Sequence, residues 1–300
     1  MALAPDIESK TMHPTEGLSS FPPPATANPL ADQQMTADRS ERKYLVSALE
    51  ATQLGREFNH RLERHYPPGF VTLPGTRQYS TTIYFDTVDR QLFRAAERGS
   101  TSVKLRAREY YNFDPSLAQL ARRTRDLVRF DPVIWFELKS KQGDHVTKQR
   151  FALAKDEVPQ FLSQGEFSAA SVEIQQARFG PQAEQLMQDV TDLYRRFNQP
   201  FQVDCIVNYR RIAWQDEAGS LRLTLDRQVS FFEPLSDLWT RQEPLTRESL
   251  GPVRASEPGA VLEVKLRGEP PPWLSECLAQ LAGLPCGFSK FLAASRAVHG

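Results

Sequence analysis

This 300-residue chain has no net charge: its 37 Lys and Arg are matched by 37 Asp and Glu. It therefore lacks the global basic field that draws a protein to nucleic acid, no nucleic-acid partner is expected, and any positive site must come from local clustering. Cysteine is scarce. Cys205, Cys277 and Cys286 are odd in number and form no CxxC pair, which argues against a disulfide framework or a zinc knuckle and fits a reducing, cytoplasmic setting. No stretch approaches the ~20 apolar residues of a membrane span. A basic segment leading into an apolar one is missing at the start, and Ala2 stands where myristoylation needs glycine, so neither signal peptide nor lipid anchor is expected. The phosphate-binding patterns GxxxxGK[ST] and GxGxxG are absent, as are the serine-hydrolase, HExxH and kinase HRD signatures. His13, His60, His65, His145 and His299 show no metal-ligand spacing.

What the chain does have is uneven. Residues 1–38 carry Pro5, Pro14, Pro22, Pro23, Pro24 and Pro29 among Ala, Thr and Ser. With no apolar period to bury, they read as a disordered tail. Residues 39–300 form the expected domain. From about Ser40 the main signal is strict alternation, the mark of a half-buried strand. It runs through Ser102–Arg108, Ile134–Lys141, Lys148–Leu153, Leu221–Asp226 and Ala260–Arg267, with further candidates at Glu41–Val46, Thr81–Asp86 and Val203–Trp214. Helical spacing appears in Ser47–His65 (Leu49, Leu54, Phe58, Leu62) and in Pro181–Phe197 (Leu186, Val190, Leu193, Phe197). Shorter helices are expected at Trp273–Leu281 and Ser289–Val298. Many antiparallel strands with helices outside the run indicate an α+β fold built on a large sheet or barrel.

The alternation has a sign. Side chains at i and i+2 share a strand face. Lys104, Arg106 and Arg108 therefore oppose Val103, Leu105 and Ala107. Glu137, Lys139 and Lys141 oppose Phe136 and Leu138, and Lys148 and Arg150 oppose Phe151 and Leu153. Arg222, Thr224 and Asp226 oppose three leucines. Glu263, Lys265 and Arg267 oppose Leu262, Val264 and Leu266, while Glu41 with Lys43 and Tyr209 with Arg211 extend the pattern. One such strand is an ordinary wet sheet face; a cation from nearly every strand is not. Two same-face cations ~7 Å apart repel by roughly 2.4 kcal/mol at an effective dielectric of about 20. Arg106 meets this from both Lys104 and Arg108, so its deletion is expected to relieve repulsion. A polyanionic ligand would relieve it better. The interleaved carboxylates then either hold the cations or hold a metal that bridges phosphates.

The segment Thr81–Glu109, TTIYFDTVDRQLFRAAERGSTSVKLRARE, resembles the triphosphate tunnel metalloenzymes, in which a Y-F-D-T strand leads through a short helix into a strand carrying R-x-R. Five further segments are similar to the polyphosphate polymerase domain of the vacuolar transporter chaperone (VTC) type: ERKYLV from Glu41, WFELK from Trp135, NYRR from Asn208, LEVKLR from Leu262 and FSKFL from Phe288. The matches run in order over about residues 40–296. The resemblance implies an eight-stranded antiparallel β-barrel tunnel with helices outside, ATP as phosphoryl donor, inorganic polyphosphate as product, and a divalent Mn²⁺ or Mg²⁺. Carried over by motif, it implies phosphate contacts from Lys43, Arg106, Arg108, Lys139, Lys148, Arg211 and Lys290, hydrogen bonds from Tyr209 and Ser289, and metal ligation by Glu263. The shared cationic face adds Lys104, Lys141, Arg150, Arg222 and Lys265. Of these, Arg106, Arg108, Lys139, Arg211 and Lys265 are the candidates for contact with the transferring group. Ser289 also reads as a plain helix N-cap. The wider superfamily opens with E-x-E-x-K. Here the first Glu is replaced by Arg39, ahead of Glu41 and Lys43, which leaves Glu41 as a second metal ligand or a supporting acid.

Three functions share this expectation: ATP-dependent polyphosphate synthesis, hydrolysis of triphosphate or polyphosphate by the same scaffold, and non-catalytic sensing of polyphosphate or nucleotide. A terminal phosphate oxyanion is already a nucleophile, so polymerisation needs no dedicated base. A hydrolase must activate water.

Overall fold

The computed structural model describes residues 40–66, 77–99, 101–113, 128–130, 134–142, 145–180, 182–241 and 243–300. The Pro-rich stretch and Arg39 lie outside them. β1 (Ser40–Val46) leads directly into α1 (Ala48–Arg61). Ser47 fixes that turn with a capping box: its Oγ accepts from the Glu50 N–H, and Glu50 returns the bond to the Ser47 N–H. After the short β2 (Glu63–Arg64), β3 (Arg77–Thr87) and β4 (Thr101–Phe113) flank α2 (Gln91–Arg98). Buried Asp86, at the end of β3, accepts from the Leu92 and Phe93 amides and so anchors the first turn of α2.

The chain continues through β5 (Val128–Phe130), β6 (Ile134–Gln142) and β7 (His145–Leu153). Three helices follow: α3 (Val158–Gln164), α4 (Ala169–Phe179) and α5 (Gln182–Phe197). The long strands β8 (Phe201–Gln215) and β9 (Leu221–Phe232) come next, then β10 (Ala255–Ser256), β11 (Ala260–Leu266), α6 (Pro272–Ala279) and α7 (Lys290–His299). Gly259, before β11, passes so close to β1 that a Cβ would sit 2.3 Å from the Val46 carbonyl oxygen.

The main ladder holds eight strands in the order β1-β11-β9-β8-β3-β4-β6-β7, all antiparallel; β2, β5 and β10 attach to β8, β4 and β9. If flat, the six steps from β1 to β6 would separate those strands by roughly 29 Å at ~4.8 Å per step. Instead Lys139 on β6 lies 3.7 Å from Glu41 on β1. The sheet is therefore strongly curled, and the cationic faces line its concave side. The expected α+β architecture holds, with the eight-stranded antiparallel sheet curled towards a barrel but not closed. Among the described residues no hydrogen-bonded rung joins β1 to β7, and the circuit is completed by ion pairs between side chains.

The apolar faces point outward under helices. α1 and α6 cover Leu221, Leu223, Leu225, Leu262, Val264 and Trp214. α3 and α5 cover Phe136 and Phe151 with Val158, Phe161, Met187 and Val190. No helix among the described residues is long and apolar enough to cross a membrane.

Candidate active site

Three carboxylate hubs organise the concave face. Glu137 on β6 is fully buried and collects Arg106 (2.6 Å), Lys148 (3.0 Å) and Arg108 (3.8 Å). Burial alone would raise its carboxyl, but the three cations hold it well below the usual carboxylate range. Asp226 on β9 is equally buried. It takes a bidentate fork from Arg211 at 2.6 and 2.7 Å and the Lys290 ammonium at 2.7 Å. The third hub pairs Glu263 with Lys265 at 2.7 Å and Glu41 with Lys43, Lys139 and Lys265 at 3.2, 3.7 and 3.9 Å. Burial disfavours the Glu263 charge too, yet Lys265, Lys43 and Arg211 keep it well below the usual range.

Among the described residues Lys104 reaches no carboxylate within ion-pair distance; its ammonium donates to Ser289 Oγ at 3.1 Å. Ser289 caps α7 by accepting from the Leu292 N–H. The N-cap reading of this serine therefore holds, and its hydroxyl also meets the Lys104 ammonium. Lys43 Nζ donates to the Phe288 carbonyl, so the N-terminus of α7 is docked onto the concave face. Tyr209 is buried there, its ring 5.2 Å from the Arg211 guanidinium and 4.9 Å from the Lys290 ammonium. Arg150 lies over the Trp135 ring at 4.9 Å. Arg222 pairs in register with Lys265 across β9 and β11. Lys141 is on β6, but its side chain lies outside the described ones.

Among these groups nine cations face four carboxylates: Lys43, Lys104, Arg106, Arg108, Lys139, Lys148, Arg211, Lys265 and Lys290 against Glu41, Glu137, Asp226 and Glu263. The surplus registers in the titrations. Burial, with Lys43, Lys139 and Arg106, lowers Lys104 to about 8. Burial, with Arg106, Arg108 and Arg150, lowers Lys148 to about 7 against the pull of Glu137. Burial would raise Tyr209, but Arg108, Arg211 and Lys290 bring it to about 8. Lys148 still keeps 34% of its side chain open, as suits a wall that surrounds a wet cavity.

A pH dependence follows. The unfolded values of Lys and Tyr are ~10. Between the folded and unfolded values the unfolded chain binds more protons, so stability rises with pH. The ligand-free protein is expected to melt at higher temperature near pH 9 than near pH 7. Binding of tripolyphosphate, which favours charged lysines, should take up protons near pH 8. Calorimetry in buffers of different ionisation enthalpy reads that uptake; proton release would contradict it.

Among the described residues no trio of His, Cys, Asp and Glu is placed to hold a metal. Glu41 and Glu263 do sense each other's charge. Two adjacent carboxylates fit Mg²⁺ or Mn²⁺ in the mode that takes its other ligands from phosphates and water, and they do not fit an all-protein cage. The sequence pattern placed Glu137 and Asp226 on the cationic face, to hold either cations or a metal, and the structure shows them holding cations. Their hub positions depend on cross-strand register, which alternation along a single strand does not report.

A family model described as VTC domain matches residues 38–299. No curated protein matches the chain. Among solved structures, the chain is similar to a "putative adenylate cyclase" from Bacillus halodurans, 15% identical, with a TM-score of 0.41, covering 84% of this chain and 96% of that one.

Proposed function

The chain belongs to the VTC domain family, and from that premise we propose that it transfers phosphoryl groups from ATP onto a growing inorganic polyphosphate chain within the cationic cavity. The observation that carries this reading is the surplus of cations on one concave face, where every carboxylate is already engaged by a cation. The surplus calls for a polyanion. Among the described residues the cavity carboxylates are held by cations, so a hydrolase would have to draw on a depressed amine such as Lys148 to deprotonate water, whereas the terminal phosphate of a chain needs no base. This favours polymerisation over hydrolysis.

In this assignment Arg106, Arg108, Lys139, Arg211 and Lys265 contact the transferring group. Phosphoryl transfer asks mainly for in-line positioning and neutralised charge. Arginine supplies a planar fork to phosphate oxygens and lysine a point charge. Lys43, Lys104, Lys141, Lys148, Arg150, Arg222 and Lys290 hold the flanking phosphates, with hydrogen bonds from Tyr209 and Ser289. Glu263, with Glu41 beside it, would hold a divalent cation that withdraws charge from donor phosphates.

Incubation with labelled ATP and Mn²⁺, followed by gel separation, tests the proposal. A ladder of lengthening polymer is expected. Free phosphate alone would move the assignment to hydrolysis, and binding without turnover would move it to sensing. The Pro-rich tail should be dispensable: a chain starting at Asp38 is expected to melt and turn over like the full-length protein. A folded truncation without turnover would give residues 1–37 a part in catalysis.

A further inference from the structure

The strands that form the cavity carry a second set of arginines on their other face. Tyr209 and Arg211 point inward, so Arg210 between them points outward. In register it stands opposite Tyr79 on β3 and Arg227 on β9. Arg77 lies two residues before Tyr79 on the same face. Arg64 joins from β2, its guanidinium 4.7 Å above the Trp214 ring. The charges of Arg77, Arg227 and Arg64 all bear on Arg210. Among the described residues none of the four has an Asp or Glu within ion-pair reach. Arg210 is half-buried, and its Nε is buried with no hydrogen-bond partner among the described residues.

Like charges directly opposite each other destabilise an antiparallel pair. Arg210 and Arg227 are such a pair. We propose that Arg64, Arg77, Arg210 and Arg227 form an exterior anion site that holds a linear phosphate chain. The ligand class rests on the function proposed for the cavity. The site itself rests on the exterior geometry.

Two features select a chain over a single phosphate or a nucleic acid. The row Tyr79–Arg210–Arg227 crosses three adjacent strands and therefore spans about 10 Å, more than one phosphate occupies. The neighbouring rings of Tyr79 and Tyr111 are stacked on each other, 5.1 Å apart and within 5° of parallel, which covers one face of Tyr79, and Tyr111 is itself buried, so the pair does not offer two platforms for bases. Guanidinium forks suit the repeated oxygens of a phosphate chain. The row also backs directly onto the cavity residues Gln78, Arg211 and Asn112, which share one rung on the inner side. A chain too long for the cavity would find the exterior row on the reverse of the same strands.

The test compares long-chain polyphosphate with tripolyphosphate, using wild type, the double variant Arg210→Gln/Arg227→Gln, and Arg106→Ala. Removing two charge-assisted phosphate contacts is expected to weaken long-chain binding by about tenfold or more while leaving tripolyphosphate affinity in the cavity unchanged. The double variant should melt no lower than wild type, since it removes a repulsion, and this separates lost binding from lost folding. Unchanged long-chain affinity in the double variant would overturn the exterior site and leave the cavity reading intact. Long-chain binding that persists in Arg106→Ala but falls in the double variant would support the exterior site even if the cavity reading failed. Single-stranded RNA binding as tightly as polyphosphate, and lost equally in the double variant, would overturn the phosphate-chain assignment.

Discussion

Replacing Glu137 by Gln is expected to destabilise the ligand-free protein by about 3–5 kcal/mol, the cost of stranding buried charges by removing one partner of a buried pair. At ~2–4 °C per kcal/mol for a domain of this size class, the melting temperature should fall by roughly 10 °C. The reasoning is local. Glu137 has no exposed surface, and among the described residues it is the one carboxylate that pairs with Arg106, Arg108 and Lys148. Gln keeps the shape and removes the charge. Because the folded carboxyl sits below its ordinary value, its contribution is complete above the ordinary range of ~4.3 and fades as pH falls through the folded value. The gap between wild type and variant should therefore close in acid. Tripolyphosphate should restore part of the loss, since it returns negative charge to the same cations. A variant that melts like wild type at neutral pH would reduce this hub to the energetics of a surface ion pair, ~0–1 kcal/mol.

Arg106→Ala should lower kcat by about 10²–10³-fold, as loss of one preorganised donor does in other active sites. The sequence alone suggests that deleting this arginine relieves repulsion from Lys104 and Arg108. The structure reverses that expectation, because Arg106 is bound at 2.6 Å to Glu137. The ligand-free variant should melt slightly lower than wild type, with folding preserved by the remaining partners of Glu137. Glu263→Gln is the companion measurement. It should abolish metal-stimulated turnover and keep metal-free triphosphate binding, because the surrounding lysines remain. Wild-type turnover in Glu263→Gln would remove it as the metal ligand. Unchanged triphosphate affinity in Arg106→Ala would place that arginine outside the site.

Much of this arrangement was legible because the strands are two-faced. Period-2 alternation located the eight ladder strands, and the sign of each polar face located Lys43, Arg106, Lys139, Arg211 and Lys265 on one side. Ser289 marked a helix start by its chemistry. The helices α3 and α4 were not read. α4 carries its exposed Ile174 on a face with no clear apolar stripe, so spacing gave no signal. The irregularity in β9 was also silent. The register with β8 shifts between Asn208 and Arg210, and Gln228 opposite takes a positive φ of 55°. A glycine there would have announced the bulge; glutamine does not. The carboxylate hubs stayed hidden for a different reason: Asp226 meets Lys290 across 64 residues, and no local pattern encodes such a meeting.

The pairing of β1 with β11 places Ser40 opposite Leu266, so the first described strand is locked by the last described strand. Translation runs from one end, and non-local pairings form late because their loop-closure entropy must be met first. Until the ribosome has released β11 and α7, Glu41 has no Lys265 beside it and Asp226 has no Lys290. The cavity thus depends on the whole span from β1 to α7. A chain that stops before β11 carries most of the cations without the geometry that concentrates them.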